Sequence, residues 1–285
     1  MQLCKVRRNT GAVEVGVLDA GRVTPLRLGG PGKPQTLADV LHAADPTSLA
    51  RSLLADPAAA FPLEEATLLP PLDRQEVWAA GVTYKRSREA RERESQGAAR
   101  FYDLVYNAER PELFFKAPAW RVVGCGAPVR IRKDARWSVP EPEVALVVSP
   151  TKKIVGYTIG NDMSSRDIEG ENPLYLPQAK VYDGSCSLGP AVTLAAALPA
   201  LEQVQIRLSI ERAGKSVFEG STTLAAMKRS FEDLVSWMTR EISFPDGVVL
   251  LTGTGVVPPD DFTLAVGDRV VIEVSGVGRL VNEVQ

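Results

Sequence analysis

Histidine and cysteine, which often bind transition metals or act as nucleophiles, are nearly absent from the 285-residue sequence. It contains one histidine, His42, and three cysteines, Cys4, Cys125 and Cys186. The cysteines lie far apart and form no Cys-x-x-Cys pair, which excludes a zinc site or redox motif of that type. Because an odd number of dispersed cysteines is typical of a reducing compartment, we expect the chain to work in the cytoplasm.

The sequence also lacks an excess of charge of either sign and any long apolar run. Its 33 lysines and arginines nearly balance 35 aspartates and glutamates, which gives a net charge of −2. This balance predicts no nucleic-acid partner. No apolar run approaches the roughly 20 residues of a membrane span. Residues 1–9 lack the apolar core of a signal peptide, so we expect no membrane partner.

The sequence does contain enough apolar residues, 45% of the total, for a large domain and a small one. Many short apolar segments and few helical patterns favour an α+β class over a doubly wound parallel sheet. We predict a small N-terminal α/β domain in residues 1–60, with two short helices. A proline-rich linker follows in residues 61–73, and a large mixed-sheet domain occupies residues 74–285.

Two carboxylates in the middle of the chain are two positions apart, Glu141 and Glu143, and they alternate with Pro140 and Pro142. A residue before proline is disfavoured in the helical conformation, so this segment is extended. In an extended chain, side chains two positions apart point to the same side. Like charges on one face repel unless a cation or hydrogen-bond donors lie between them. Taken alone, Glu-Pro-Glu is more typical of a solvated surface turn.

A third carboxylate, Asp162, follows a strand predicted for residues 154–160. Taken alone, it is typical of a helix N-cap. Three carboxylates together, with water completing the coordination shell, suit Mg²⁺ or Mn²⁺, with Ca²⁺ as a further alternative. The set of three therefore predicts a site for a hard divalent cation.

The segments around these carboxylates resemble the fumarylacetoacetate hydrolase family. The resemblance is carried by Glu141-x-Glu143, Asn161-Asp162-Met163-Ser164-Ser165-Arg166-Asp167, Lys180-x-x-Asp183 and Leu188-Gly189-Pro190. Segments 251–255, 266–270 and 276–282 resemble the closing strands of that family, so the similarity spans residues 75–285. Segments 81–87, 111–116 and 171–180 are most similar to the branch of the family that dehydrates 2-keto-3-deoxy sugar acids.

The resemblance implies a mixed β-roll and a set of site residues. It implies that Glu141, Glu143 and Asp162 bind Mg²⁺, and that Lys180 acts as the base and Glu112 as the acid. It further implies a homodimer or homotetramer. The residues that it assigns to substrate binding are Tyr84, Ser87, Arg88, Lys116, Arg166 and Thr254. Two of these have equally good structural interpretations, since Arg166 is typical of an ion pair and Gly253-Thr254-Gly255 of a tight turn.

The sequence departs from the hydrolytic members of the family at one motif. Those members activate water with a histidine and a glutamate, but Ser87 and Ala90 stand at the matching positions here. A serine without a partner does not act as a base at neutral pH. Dehydration needs no water nucleophile, so this departure favours a dehydratase over a hydrolase.

The resemblance implies an enzyme with a small-molecule substrate. We predict that it converts 2-keto-3-deoxy-D-arabinonate to 2-oxoglutarate semialdehyde and water. Mg²⁺ would stabilise an enolate after loss of the C3 proton. The alternatives are an acylpyruvate hydrolase or oxaloacetate decarboxylase of the same family, and a non-catalytic metal- or ligand-binding protein. If the protein is a non-catalytic binding protein, substitution of Glu112 or Lys180 should leave ligand binding unchanged.

Overall fold

The structure is a computed structural model that describes residues 1–87 and 99–285, with side chains described up to 87 and from 103. Arg88, predicted to bind substrate, lies outside the described residues. Within these ranges, seventeen strands form three sheets. No helix in the described part of the chain is long and apolar enough to cross a membrane.

The N-terminal part is a set of short strands with two helices. Its elements are β1 (Gln2–Arg8), β2 (Val13–Asp19), β3 (Arg22–Pro25), α1 (Leu37–Leu41), α2 (Pro46–Leu53), β4 (Phe61–Pro62) and β5 (Ala66–Leu69). Both predicted helices are present. Thr36 caps α1 in a capping box with Asp39. α2 is capped by Asp45, whose side chain accepts from the Ser48 N–H, and Pro46 occupies its first turn.

The remaining strands build a large mixed sheet and two smaller sheets. They are β6 (Glu76–Gly81), β7 (Glu112–Ala117), β8 (Ser138–Val139), β9 (Pro142–Val148), β10 (Ile154–Asp162), β11 (Ser164–Ser165), β12 (Cys186–Leu194), β13 (Gln205–Arg212), β14 (Lys215–Thr223), β15 (Val248–Leu251), β16 (Arg269–Val274) and β17 (Gly278–Glu283). The helices between them are α3 (Ala99–Asn107), α4 (Arg166–Glu171), α5 (Leu176–Lys180) and α6 (Phe231–Met238).

The large sheet has the order β4-β3-β2-β1-β12-β10-β9-β15-β6-β7, with β5 paired to β1. It is mixed because β15 runs parallel to β6 but antiparallel to β9. Every residue of β9 is buried, as expected for an apolar, β-branched strand in the centre of a sheet. A second sheet, β14-β13-β16-β17, and the apolar face of α6 pack against it around the main hydrophobic core. This arrangement agrees with the predicted α+β class.

The N-terminal strands continue the large sheet. β1 pairs with β12 through Gln2–Thr193 and Leu3–Val192. Apolar residues of α1 and α2 share a core cluster with Val147, Val192 and Leu194. Residues 61–73, predicted as a linker, contain β4 and β5, which pair with β3 and β1. The division at residues 60 and 74 stays a prediction, although the structure joins both parts in one sheet.

Candidate active site

Three buried carboxylates meet where β9 begins and β10 ends. One oxygen each from Glu141, Glu143 and Asp162 lies within 4.8 Å of the other two. Antiparallel pairing sets this geometry, because Glu143 lies opposite Gly160 and the Asp162 N–H donates to the Glu141 carbonyl at 3.0 Å. Burial of the cluster contradicts the alternative interpretation of Glu-Pro-Glu as a solvated turn.

When all three carboxylates are ionised, their mutual repulsion and their burial destabilise the fold. The pKa of Glu143 is raised well above its ordinary value, first by burial and then by the charges of Asp162 and Glu141. Lys180 and the Gly253 N–H, which donates to Glu143 Oε2 at 2.5 Å, oppose this rise in pKa. A bound cation would relieve the same repulsion.

Lys180, at the C-terminal end of α5, is fixed by three hydrogen bonds. Its Nζ donates to Glu141 Oε2 and Asp162 Oδ2 at 3.0 Å each and to Ser164 Oγ at 2.6 Å. Ser164 in turn donates to the Asp162 carbonyl at 2.9 Å. The predicted catalytic lysine therefore lies directly beside two predicted metal ligands. The sequence interpretation missed Ser164 as the third partner, although it stands two positions after Asp162.

Lys116 is fully buried and supports both Asp162 and Lys180. A β-bulge in the pairing of β7 with β6 leaves Lys116 as the unpaired extra residue. Its Nζ forms an ion pair with Asp162 Oδ1 and donates to the carbonyls of Met163, at 3.0 Å, and Lys180, at 2.5 Å. These contacts use all three ammonium donors. The structure therefore argues against the predicted substrate contact.

Arg166 also acts on a predicted metal ligand. Its Nε lies 3.2 Å from Glu141 Oε1, while the other oxygen of Glu141 faces Lys180. Of the two interpretations of Arg166, the ion pair is present in the structure, and its partner is a predicted metal ligand. Within the described residues, Lys116, Arg166 and Lys180 thus bring three positive charges to three carboxylates.

Glu112 lies at the start of β7, opposite Gly81. It shares one side of the strand with Phe114, whose ring lies 5.7 Å from Lys180 Nζ. A Cβ on Gly81 would lie 2.0 Å from Glu112 Oε2, so only glycine leaves room for this carboxylate. The structure thus places Glu112 on the side of β7 that faces Lys180, as an acid–base pair requires.

Among the other described residues predicted to bind substrate, Tyr84 lies near Glu143. Tyr84 is buried, and the pKa of its phenol is raised by burial and by the charge of Glu143. Its hydroxyl has no hydrogen-bond partner among the described residues. Ser87 is also buried. The Thr254 hydroxyl is used in its own turn, where it bonds with Val256 at 3.2 Å.

The sequence interpretation missed the Gly253 N–H. Gly253 has a φ of 91°, in the left-handed region, and a Cβ there would lie 2.0 Å from Thr83 Oγ1. This conformation directs its N–H to Glu143. The glycines of the Gly-Thr-Gly turn were the available sequence signal.

The three carboxylates fit a magnesium ion. All three donors are oxygen atoms of buried carboxylates, the ligand type that Mg²⁺ prefers, and the group contains no histidine or cysteine that would favour zinc. Glu141, Glu143 and Asp162 are the residues that would hold it.

Comparison with known proteins places this site in a family. A sequence profile described as fumarylacetoacetate (FAA) hydrolase, C-terminal, matches residues 76–285. The chain belongs to the fumarylacetoacetate hydrolase family. This confirms the resemblance and the predicted α+β fold of the family.

Two relatives within the fumarylacetoacetate hydrolase family are named as dehydratases. A protein from Haloferax volcanii named probable 2-keto-3-deoxyxylonate dehydratase is 48% identical over 214 residues, which are 75% of this chain and 73% of the relative. The 2-dehydro-3-deoxy-D-arabinonate dehydratase of Saccharolobus solfataricus is 40% identical over 228 residues, 79% of this chain and 76% of the relative. A solved structure of 2-keto-3-deoxy-D-arabinonate dehydratase, complexed with magnesium and 2,5-dioxopentanoate, is 34% identical. It superposes with a TM-score of 0.81 over 100% of this chain and 99% of that chain.

Proposed function

We propose that the protein is a magnesium-dependent hydro-lyase that converts 2-keto-3-deoxy-D-arabinonate to 2-oxoglutarate semialdehyde, which is 2,5-dioxopentanoate, and water. The observation that carries this proposal is the buried carboxylate cluster with the Lys180 ammonium bonded to two of its members. The relatives in the same family are named for this reaction, and the solved relative holds magnesium and its product.

The names of the two curated relatives point to one substrate. Arabinonate and xylonate differ only at C2 and C3, and both stereocentres are lost in a 2-keto-3-deoxy acid. In the D series both names therefore describe the same compound, with one stereocentre at C4. One pocket can serve both named reactions.

The reaction requires proton transfers at three carbons of the substrate. A base removes a C3 proton, and the C4 hydroxyl leaves with a proton as water, which forms a C3–C4 double bond. Removal of a C5 proton and return of a proton to C3 then give the terminal enol, and the enol becomes the aldehyde. Acid–base groups must therefore face both C3 and the C4 oxygen.

Two side chains are the proposed acid and base. Lys180, as the neutral amine, removes the C3 proton; Glu141, Asp162 and Ser164 position its Nζ at the carboxylate cluster. Glu112, on the side of β7 that carries Phe114, protonates the departing C4 hydroxyl. When bound, magnesium supplies Lewis acidity for the oxygens of the 2-keto acid. Tyr84 and Ser87 are the proposed substrate contacts, together with Arg88 outside the described residues.

The alternatives within the family are less well supported. A hydrolase needs a base for water, and Ser87 stands in its place. His42 does not supply one, because it ends α1 and packs against Gly247, in the turn before β15. A decarboxylase remains a candidate because it needs little beyond the metal. A purely binding protein would not need Lys180 and Glu112 arranged in this way.

We also propose that the chain works in the cytoplasm as a homodimer or homotetramer. All three cysteines are free thiols, which supports a reducing compartment. Trp120, Leu174 and Val266 are each more than 70% exposed, which supports contact with another surface.

The test is an assay with Mg²⁺ and 2-keto-3-deoxy-D-arabinonate in which a coupled aldehyde dehydrogenase detects the semialdehyde. Oxaloacetate and an acylpyruvate are run in parallel, with EDTA as a control. We expect EDTA-sensitive semialdehyde formation that Lys180→Ala and Glu112→Gln each reduce by at least about 100-fold. The matched control Lys153→Ala, an exposed lysine, should not change it.

Turnover of oxaloacetate or the acylpyruvate without turnover of the sugar acid would contradict the proposed reaction. Variants that stay within a few-fold of the wild type would contradict the acid–base assignment, even with the correct product.

A further inference from the structure

On three strands of the four-stranded sheet, β13, β16 and β17, the outer face carries its charges in two rows with an uncharged row between them. Cross-strand pairing fixes the rows on β13, β16 and β17, because directly paired residues point to the same side. The first row is Glu211, Arg269 and Glu283; the second is Ser209, Val271 and Val281; the third is Arg207, Glu273 and Arg279.

The two charged rows have opposite signs at every strand. The first row reads minus, plus, minus across the three strands, and the third reads plus, minus, plus. Ion pairs inside the sheet, Arg269 with Glu211 at 3.0 Å and Arg279 with Glu273 at 3.4 Å, explain why signs alternate along a row. They do not require the signs to invert from the first row to the third.

These charged groups are accessible to a second surface. The side chains in the two ion pairs keep between 39% and 51% of their surface exposed. The middle row is recessed: Val271 is buried between the charged rows, at the floor of a groove of about 460 Å³ lined also by Ser209, Glu219 and Ser221. Apolar side chains thus lie at the centre and half-exposed charges at both margins, as in protein interfaces.

We propose that this sheet face binds the same face of a second copy of the chain, with a two-fold axis along the middle row and across the strands. Such an axis places the first row of one copy over the third row of the other, strand for strand. Glu211 then meets Arg207, Arg269 meets Glu273, and Glu283 meets Arg279, and each contact occurs twice. Val281 meets its own copy at the centre, beside the buried Val271.

The second copy is the occupant that the charge pattern selects. A pattern whose two rows are each other's inverse is complementary to itself, which an unrelated partner would not require. Face-to-face sheets keep their strands within about 30° of one another, which this axis provides. Glu219, in the middle row on the edge strand β14, would face its own copy, but it lies at the exposed margin where water screens it.

Charge reversal tests this arrangement through the mass of the full-length protein, measured by light scattering and sedimentation. Arg207→Glu opposes Glu211 of the partner with a like charge, and Glu211→Arg opposes Arg207. We expect each variant alone to raise the dissociation constant at least tenfold and to halve the mass, since each like-charged contact occurs twice. Lys33→Glu and Glu64→Arg are matched controls at exposed positions on the N-terminal part.

Mixing the two variants separates an interface from a folding defect. In a mixed pair, Glu at position 207 faces Arg at position 211, and the native pair is kept at the other contact, so we expect the wild-type mass to return. A defect inside one chain would persist on mixing. A monomeric wild type, full mass in both single variants, or no recovery in the mixture would each overturn the proposal. None of these readouts depends on dehydratase activity.

Discussion

The carboxylate of Glu143 is buried beside two other carboxylates, so its ionisation destabilises the metal-free fold. Its folded pKa lies above the ordinary value, so between these two values the folded chain binds more protons than the unfolded chain. The stability that depends on this proton is complete below the ordinary pKa and is lost as pH rises through the folded pKa. Metal binding must displace the proton, so we expect it to strengthen as pH rises.

Glu143→Gln tests this assignment at neutral pH. A neutral amide avoids the repulsion, so the metal-free variant should melt about 2–4 °C above the wild type. It should also lose the rise in melting temperature that Mg²⁺ gives the wild type. Scanning calorimetry with and without Mg²⁺ measures both effects. A variant that melts lower than the wild type and still responds to Mg²⁺ would contradict Glu143 as a ligand.

Ser164 matters because its hydroxyl is an uncharged acceptor of the Lys180 ammonium. Ser164→Ala should lower kcat on the order of tenfold, the effect of one lost hydrogen bond to a charged group, with little change in KM. Ser164→Thr keeps the hydroxyl and should restore most of kcat. The measurement is steady-state kinetics of all three forms at saturating Mg²⁺. An equal loss of kcat in the Thr and Ala variants would show that side-chain packing, and not the hydrogen bond, causes the loss.

At the residue scale, much of the site was predictable. Alternating prolines place Glu141 and Glu143 on one side, which is a local property of the backbone. The contact of Lys116 with Asp162 was not predictable, because a β-bulge directs its ammonium there and a bulge depends on the partner strand. Gly253 was missed because its contribution is a backbone N–H, which no side-chain pattern reveals.

At the scale of elements, β6 and β7 lie so close together that the Glu112 carboxylate fits only because Gly81 has no side chain. Gly81→Ala would drive the Cβ into Glu112 Oε2, the mobile end of a side chain, so the strand can stay in place while the carboxylate is displaced. We expect activity to fall at least tenfold, with a change in unfolding free energy below about 1 kcal/mol.

Gly16→Ala is the matched control for this prediction. A Cβ there would lie 2.6 Å from Val23 Cγ1 and 2.8 Å from the Thr24 carbonyl, and the backbone cannot move away as a side chain can. This variant should lose stability and keep its activity per folded molecule. Chemical denaturation with kinetics distinguishes the pair. Full activity in Gly81→Ala would argue against Glu112 as a catalytic residue.

The strands and helices themselves followed closely from the sequence. The strand predicted for residues 154–160 is β10, which extends two residues further, to Asp162. Periodicity fixes such elements because it reflects local burial. The pairing of β4 and β5 within the predicted linker was not visible, because short strands beside prolines resemble loops.

At the scale of the whole molecule, the N-terminal part and the catalytic part share one sheet and one apolar cluster. Leu41 of α1 lies in the cluster that contains Val147 of β9 and Val192 of β12. Leu41→Ala should lower the unfolding free energy by about 2–4 kcal/mol. Since the two parts are continuous, we expect a single cooperative transition at a lower temperature.

Calorimetry with and without Mg²⁺ measures whether the N-terminal and catalytic parts unfold together. Metal binding should stabilise the whole transition of the Leu41→Ala variant, including the N-terminal part. Two separate transitions, with only one sensitive to Mg²⁺, would show independent domains as the sequence alone suggests. The sequence could not show this continuity, because strand pairing over 190 positions leaves no local signal.

The pairing of β1 with β12 also has a consequence for synthesis on the ribosome. Residues 2 and 3 can pair with β2 early, but they find their partners in β12 only when residues 192 and 193 have emerged. Strand β9 gains its second neighbour only with residues 248–251. The three carboxylates are therefore made long before Gly253 can donate to Glu143. Because so many contacts join distant parts of the chain, the nascent protein spends most of its synthesis with an unfinished sheet edge, the state in which chaperones protect proteins from aggregation.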